Sequence, residues 1–126
     1  IEVWGPGTQT RSFLYIDECI EATIRFMRGE FIGPVNIGSE EMIAMNDFAK
    51  MAIQVSQKNL DIYNIDGEEF FKKYGHKCPI GVNGRNSDNN LYFEKVGWKV
   101  SEPLIDGMHK TFSWINQQIL DGKKSS

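Results

Sequence analysis

Apolar residues return at helical spacing in the long stretches of this chain and at strand spacing in the short ones. Ile16, Cys19, Ile20, Thr23, Ile24 and Met27 follow the three-to-four-residue interval of a helix that buries one stripe, while Glu18, Glu21, Arg25 and Arg28 take the other face. Asp17 is placed as its N-cap, Glu21 and Arg25 stand in the favourable i, i+4 order, and Gly29 is positioned to end it. Leu104, Met108, Phe112, Ile115 and Ile119 trace the buried face of a long final helix, with Pro103 at its first turn. Gly107 interrupts that helix at roughly 1 kcal/mol against alanine, so close packing on another element is expected there.

A further helix is expected over 46–58, burying Phe48, Ala49, Ala52, Ile53 and Ser56, with Met45 and Asn46 as entry and cap. Strands are expected at 1–3, in the β-prone run after Gly7, at 35–38 and, by strict alternation, at 60–65. Residues 66–80 read as an inserted excursion holding a short amphipathic helix over 68–74, broken by Gly75 and finished by Pro79. Residues 81–90 are turn formers with one cation and read as a loop. Asp88 or Asn89 then caps a short helix through Leu91, Phe93 and Val96, ended by Gly97 and anchored by Trp98. Short strands alternating with helices give an α/β fold class, with a thin sheet for so many helices. Ile1-Glu2-Val3 reads as a strand already under way with no initiator Met, so the chain is expected to be a fragment, organised as one portion over 1–120 and a flexible tail over 121–126.

Composition narrows the function classes. With 126 residues, 40% of them hydrophobic and 25% charged, the chain is an ordinary globular domain. Lys and Arg number 14 against 17 Asp and Glu, a formal net charge of −3, so nothing global draws it to nucleic acid or anionic membrane. No apolar run approaches the roughly 20 residues of a membrane span and no leader pattern is present, which makes a cytoplasmic protein the default. Cys19 and Cys78 lack partners at metal spacing and read as reduced thiols. No metal site is expected.

Candidate chemistry concentrates in two polar loops. Arg11 follows Gly5-Pro6-Gly7, and Arg85 lies in Gly84-Arg85-Asn86-Ser87. Two guanidinium forks suit the oxygens of a diphosphate, and Gln9, Thr10, Ser12, Asn86 and Ser87 offer neutral hydrogen bonds beside them. The plain alternative is a pair of solvated loop arginines. His76 and His109 stand alone, Ser39-Glu40-Glu41 suits either a ribose hydroxyl or a solvated turn, and neither a Gly-Lys-Ser/Thr phosphate loop nor the three-glycine dinucleotide fingerprint occurs.

Gly7 through Asp17, read as G-x-Q-x-R-S-F-x-Y-I-D, resembles a segment of the extended short-chain dehydrogenase/reductases that act on nucleotide sugars. Val35-Asn36-Ile37-Gly38-Ser39, Gly97-Trp98, the Pro103, Leu104, Gly107, Trp114 pattern and Gly84-Arg85-Asn86-Ser87-Asp88-Asn89-Asn90 fit the same family in the same order. The resemblance implies the C-terminal substrate-binding portion of an NAD-dependent epimerase of GDP-mannose-like sugars, working by transient C4 oxidation with epimerisation at C3 and C5. It implies Gln9, Thr10, Arg11 and Arg85 as substrate-binding residues, with Asn86 and Ser87 beside them, and no catalytic residue in this chain. NAD, the Tyr-x-x-x-Lys pair and the proton-exchanging Cys and Lys belong to an N-terminal Rossmann half absent here, so Cys19 and Cys78 are not assigned that role. The implied partners are the nucleotide-sugar substrate, the missing Rossmann half and a second copy in a homodimer. Pro6 stands where the family usually has an acidic residue, and 66–80 is longer than its usual connector. A nucleotide-sugar dehydratase or reductase, and a stand-alone nucleotide-binding module, are the alternatives.

Overall fold

The computed structural model describes residues 1–122; residues 123–126, most of the expected tail, lie outside the described part. Ten elements follow in order: β1 (Glu2–Trp4), β2 (Thr10–Ser12), α1 (Ile16–Arg28), β3 (Met42–Ala44), α2 (Met45–Ser56), β4 (Tyr63–Ile65), α3 (Gly67–Tyr74), β5 (Gly84–Arg85), α4 (Asn90–Val96) and α5 (Leu104–Leu120). The α/β class expected from the sequence is the class observed. The chain forms two compact units, one from Ile1–Ser12 with Met42–Asn86, the other from Phe13–Glu41 with the described residues from Ser87 onward.

The first unit carries all the strands. β1 pairs in parallel with β4, Val3 opposite Asn64. β2 is the centre of a second sheet, antiparallel to β3 and parallel to β5. α2 packs on β1, and its inward Ala49 and Val55 join Val3, Ile65 and Phe70 in the core. Phe70 and Ile65 are the largest fully buried side chains. The excursion is therefore part of the core: α3 lays Phe70 edge-on against Trp4 with ring centres 5.1 Å apart, and Tyr74 stacks on Phe70 at 4.6 Å. Glu2 ties the two together, accepting hydrogen bonds from Lys73, Tyr74 and the Trp4 indole. Those donors, Lys73 foremost, lower the Glu2 carboxyl from 4.5 to about 2.

The second unit is helical. Tyr92 of α4 is buried and donates its hydroxyl to the Ala22 carbonyl of α1 at 2.8 Å. Gly107 meets Tyr15 closely, as a built Cβ would stand 3.1 Å from the tyrosine Cβ, which is the close approach that the glycine in α5 implied. Three carboxylate bonds set the start of α5: Glu18 Oε1 accepts from the Ser101 and Glu102 amides at 2.6 and 2.9 Å, and Glu41 Oε2 from the Leu104 amide at 2.8 Å.

Several local expectations are corrected. Asp17 lies inside the first turn of α1, and Tyr15 occupies the N-cap position with no side-chain cap bond. The apolar stripe of α1 faces outward: Ile16, Ile20, Ile24 and Met27 are 58, 50, 37 and 77% exposed, and Ala22 is the residue buried. Residues 35–38 form no ladder, because a strand needs a neighbour and none of the described residues supplies one. The 60–65 strand shrinks to β4. Two short strands were not foreseen, β3 and β5, since two or three residues carry no period of their own; both exist through pairing with β2. Pro103 stands at the N-cap position of α5, one place earlier than expected. Asn46 is a first-turn residue of α2 and its side chain serves the loop before β2.

Candidate functional site

The loop leading into β2 is held from three sides. Gly5 donates its amide to Ile65 O at 2.9 Å and accepts from Asn64 Nδ2 at 3.0 Å. Asn46 Nδ2 donates to Pro6 O at 3.1 Å, its backbone amide donates to Gly7 O at 3.0 Å, and its Oδ1 accepts from Asn64 at 3.0 Å. Gly5 and Gly7 have φ of 78° and 70°, and a Cβ at Gly7 would stand 2.0 Å from Asn46 Oδ1, so only glycine fits there. This fastening fixes where β2 begins. The Thr10 amide then donates to Asn83 O at 2.8 Å, which aligns β5 beside β2.

That alignment brings the two candidate arginines together. Thr10 is registered with Gly84 and Arg11 with Arg85, and residues opposite each other on neighbouring strands project from the same face. Gly84 allows the approach, since a Cβ there would lie 2.9 Å from Thr10 Oγ1. Arg11 is half-buried; its Nη1 donates to Thr10 O at 2.7 Å and its Nη2 lies 3.5 Å from Ile80 O. Arg85 is exposed. Among the described residues neither arginine forms an ion pair; the ion pairs present join carboxylates to Arg25 and to lysines. Two like charges at one register position, without a counter-charge, repel unless an anion lies between them.

The other residues singled out from the sequence are placed differently. Gln9 is only 9% exposed; its Nε2 donates to Trp4 O at 3.1 Å and its Oε1 has no partner. It lines a cavity of about 290 Å³ with Trp4, Met45, Phe48 and Ala52. Thr10 and Ser12 are partly accessible on β2, and Asn86 is exposed beside Arg85. Ser87 belongs to the second unit, where its Oγ donates to Asn89 Oδ1 at 2.6 Å and Asn89 Nδ2 donates to Gly38 O at 2.8 Å. A Cβ at Gly38 would stand 2.5 Å from Ser87 Cβ, so that glycine is demanded by packing. Ser39 Oγ accepts from the Glu41 amide at 3.1 Å, and the two carry the start of α5 beside a cavity of about 470 Å³ that Glu40, Asn89 and Glu102 also line.

Sequence reasoning took Asn46 for a helix cap and passed over Asn64, Ile80 and Gly81, which with it organise the loop and the Arg11 side chain. Asn64 was visible only as the polar position of an alternating run, and Ile80 as an apolar residue after a proline. Cys19 and Cys78 are free thiols, and burial, with Asp66 next, raises the Cys78 thiol above its ordinary range, which disfavours a thiolate. The His76 ring lies against Phe70 at 5.4 Å. Among the described residues no three His, Cys, Asp or Glu side chains are grouped to hold a metal ion, and no helix is long and apolar enough to cross a membrane.

No protein-family model matches the chain. It is 47% identical over 118 residues to GDP-mannose 3,5-epimerase of Arabidopsis thaliana, a match covering 94% of this chain and 28% of that protein. The chain thus spans little more than a quarter of the length of that relative, corresponding to its C-terminal part. Among solved structures it is similar to UDP-glucose 4-epimerase of Thermotoga maritima in complex with UDP-glucose, with a TM-score of 0.80 at 18% identity over 94% of this chain and 35% of that one. It is likewise similar to UDP-glucuronic acid 4-epimerase of Bacillus cereus in complex with UDP-glucuronic acid and NAD, with a TM-score of 0.75 at 25% identity over 92% of this chain and 35% of that one.

Proposed function

We propose that this chain, homologous to the C-terminal part of the GDP-mannose 3,5-epimerases and folded like the corresponding part of the extended short-chain dehydrogenase/reductase epimerases, is the nucleotide-sugar-holding part of a longer NAD-dependent epimerase. Arg11 and Arg85 grip the diphosphate of a GDP-mannose-like substrate from one face of the sheet, with Asn86 following Arg85 in the chain, while Thr10, next to Arg11 on β2, alternates to the other face. The observation that carries this is the registered pair of arginines without a counter-charge. Planar forks on neighbouring strands match two phosphoryl groups, and each offers paired donors that a lysine lacks. Gln9 contributes by fixing the loop to Trp4, and Ser87 by fixing Asn89.

The Gly5-Pro6-Gly7 loop does not have the form of a dinucleotide-binding turn. It opens a strand, β2, whereas a dinucleotide turn presents its free amides at a helix N-terminus; here the Gly5 amide is already bonded to Ile65 O. The cofactor and the residues that exchange protons are assigned to sequence outside this chain. The outward apolar stripe of α1 supports the same reading, since four large apolar residues on successive turns are the face that a further part of a longer protein covers.

Calorimetric titration of the chain with GDP tests the clamp. Arg85→Ala is expected to weaken binding by about 2 kcal/mol, the loss of a charged hydrogen-bond partner. Unchanged affinity retires Arg85 as a ligand.

A further inference from the structure

We propose that Ile80 and Gly81, where the excursion returns, are positioning residues that hold the Arg11 guanidinium ready before an anion arrives; the inference rests on the two-arginine reading above. The chain of contacts begins at Gly5. A Cβ on Gly5 would stand 2.9 Å from Ile80 Cγ1 and 3.2 Å from Cδ1, so the bare glycine is the seat on which Ile80 rests. Gly5 is itself fixed by Ile65 and Asn64. The Ile80 amide closes a tight turn onto Cys78 O at 3.0 Å, which aims the Ile80 carbonyl at Arg11 Nη2, 3.5 Å away. Gly81 continues at φ 71°, and a Cβ there would stand 3.6 Å from the same nitrogen, so Gly81 lies close beside Nη2.

The chemistry of these partners matters as much as their placement. Nη1 bonds to Thr10 O at 2.7 Å and Nη2 faces Ile80 O, both neutral carbonyls. A carboxylate in either place would orient the fork but cancel its charge, whereas a carbonyl orients it and leaves the charge for a ligand. The 3.5 Å contact is long for a hydrogen bond, so it works together with the packing of Gly81, and the remaining guanidinium donors stay available. Arg85 has no such frame; among the described residues its side chain has no hydrogen bond or ion pair, and the residue is exposed. The clamp is thus asymmetric, one arginine ordered in advance and the other ordered on binding. Ordering a long side chain in advance removes a cost that binding otherwise bears.

The test is a double-mutant cycle with inorganic pyrophosphate as the probe, read by calorimetry on the 126-residue chain. Ile80→Ala is expected to weaken pyrophosphate binding by roughly five-fold, the share an immobilised side chain forfeits. Ile80→Val, which keeps the β-branched contact on Gly5, should restore most of it. In an Arg11→Ala background the Ile80→Ala effect should vanish. An equal effect with and without Arg11, or none in either, overturns the positioning role while leaving the clamp standing. If Arg11→Ala itself leaves pyrophosphate affinity unchanged, the clamp fails and this inference with it. A measurement on the unsubstituted chain needs no variant to fold: NMR of the arginine side chains should show slowed guanidinium rotation for Arg11 and an averaged signal for Arg85. Equal averaging at both also overturns the proposal.

Discussion

Gly7→Ala separates the contribution of one contact from that of backbone conformation. At φ 70° any residue with a Cβ is strained, and the added methyl would come within 2.0 Å of Asn46 Oδ1 and 2.3 Å of its Cγ. Overlap on that scale is not relieved by a small shift, so Asn46 must swing away. It then gives up its 3.1 Å bond to Pro6 O and its 3.0 Å bond from Asn64. Each of those is worth about 1 kcal/mol, and the left-handed backbone adds about 1 kcal/mol, so the total is about 3 kcal/mol. Gly75 supplies the reference in the same unit: its φ is 76° and an added Cβ meets nothing within 4 Å. Gly75→Ala should therefore cost only the backbone part, about 1 kcal/mol. Urea unfolding followed by amide exchange at β1 and β4 reports on this unit. The excess cost of Gly7→Ala should disappear when Asn46 is replaced by alanine. Equal costs for the two glycines, or an excess that survives the loss of Asn46, refutes the account of how this loop is fixed.

Other consequences are open to measurement. Glu2 is lowered to about 2 by Lys73, Tyr74 and Trp4, so its contribution is present above the unfolded value of 4.5 and is lost as the pH falls from 4.5 towards 2. Amide exchange in α3 should therefore quicken over that window and be insensitive to it in Glu2→Gln. Gly107→Ala raises helix propensity yet crowds Tyr15 at 3.1 Å, and it should lower thermal stability by roughly 1 kcal/mol or more; a stabilised variant contradicts the packing. The α1 stripe is expected to drive self-association of the isolated chain, and joint replacement of Ile20 and Ile24 by Glu should give a monomer by light scattering. An unsubstituted chain that is already monomeric at high concentration counts against that.

Much of the helical framework was legible because each helix carries its own period. The residues of α5 and α2 repeat every three to four positions, although Ile115 and Ile119 on the expected buried face of α5 are exposed, and Gly107 announced a close approach that Tyr15 supplies. The apolar stripe of α1 was equally plain, but periodicity names an apolar face without saying what lies against it, and here that face is exposed. Pairing between distant segments was the hidden part. Met42–Ala44 and Gly84–Arg85 become strands only because β2 stands between them. Residues 35–38 look more strand-like than either, yet find no neighbour among the described residues. The site divides in the same way. Arg11 and Arg85 were legible as lone cations in polar loops, but their common register was not. Nor was the burial of Gln9, whose amide donates to Trp4 O.

In the proposed clamp Arg11 and Arg85 act on one ligand. Titrating GDP into the chain while following both guanidinium groups by NMR tests it most directly. The two signals should shift together along a single binding curve, and Arg11→Ala should abolish the shift at Arg85 under the same conditions. Movement at one arginine alone, or at neither while GDP binds elsewhere, contradicts it.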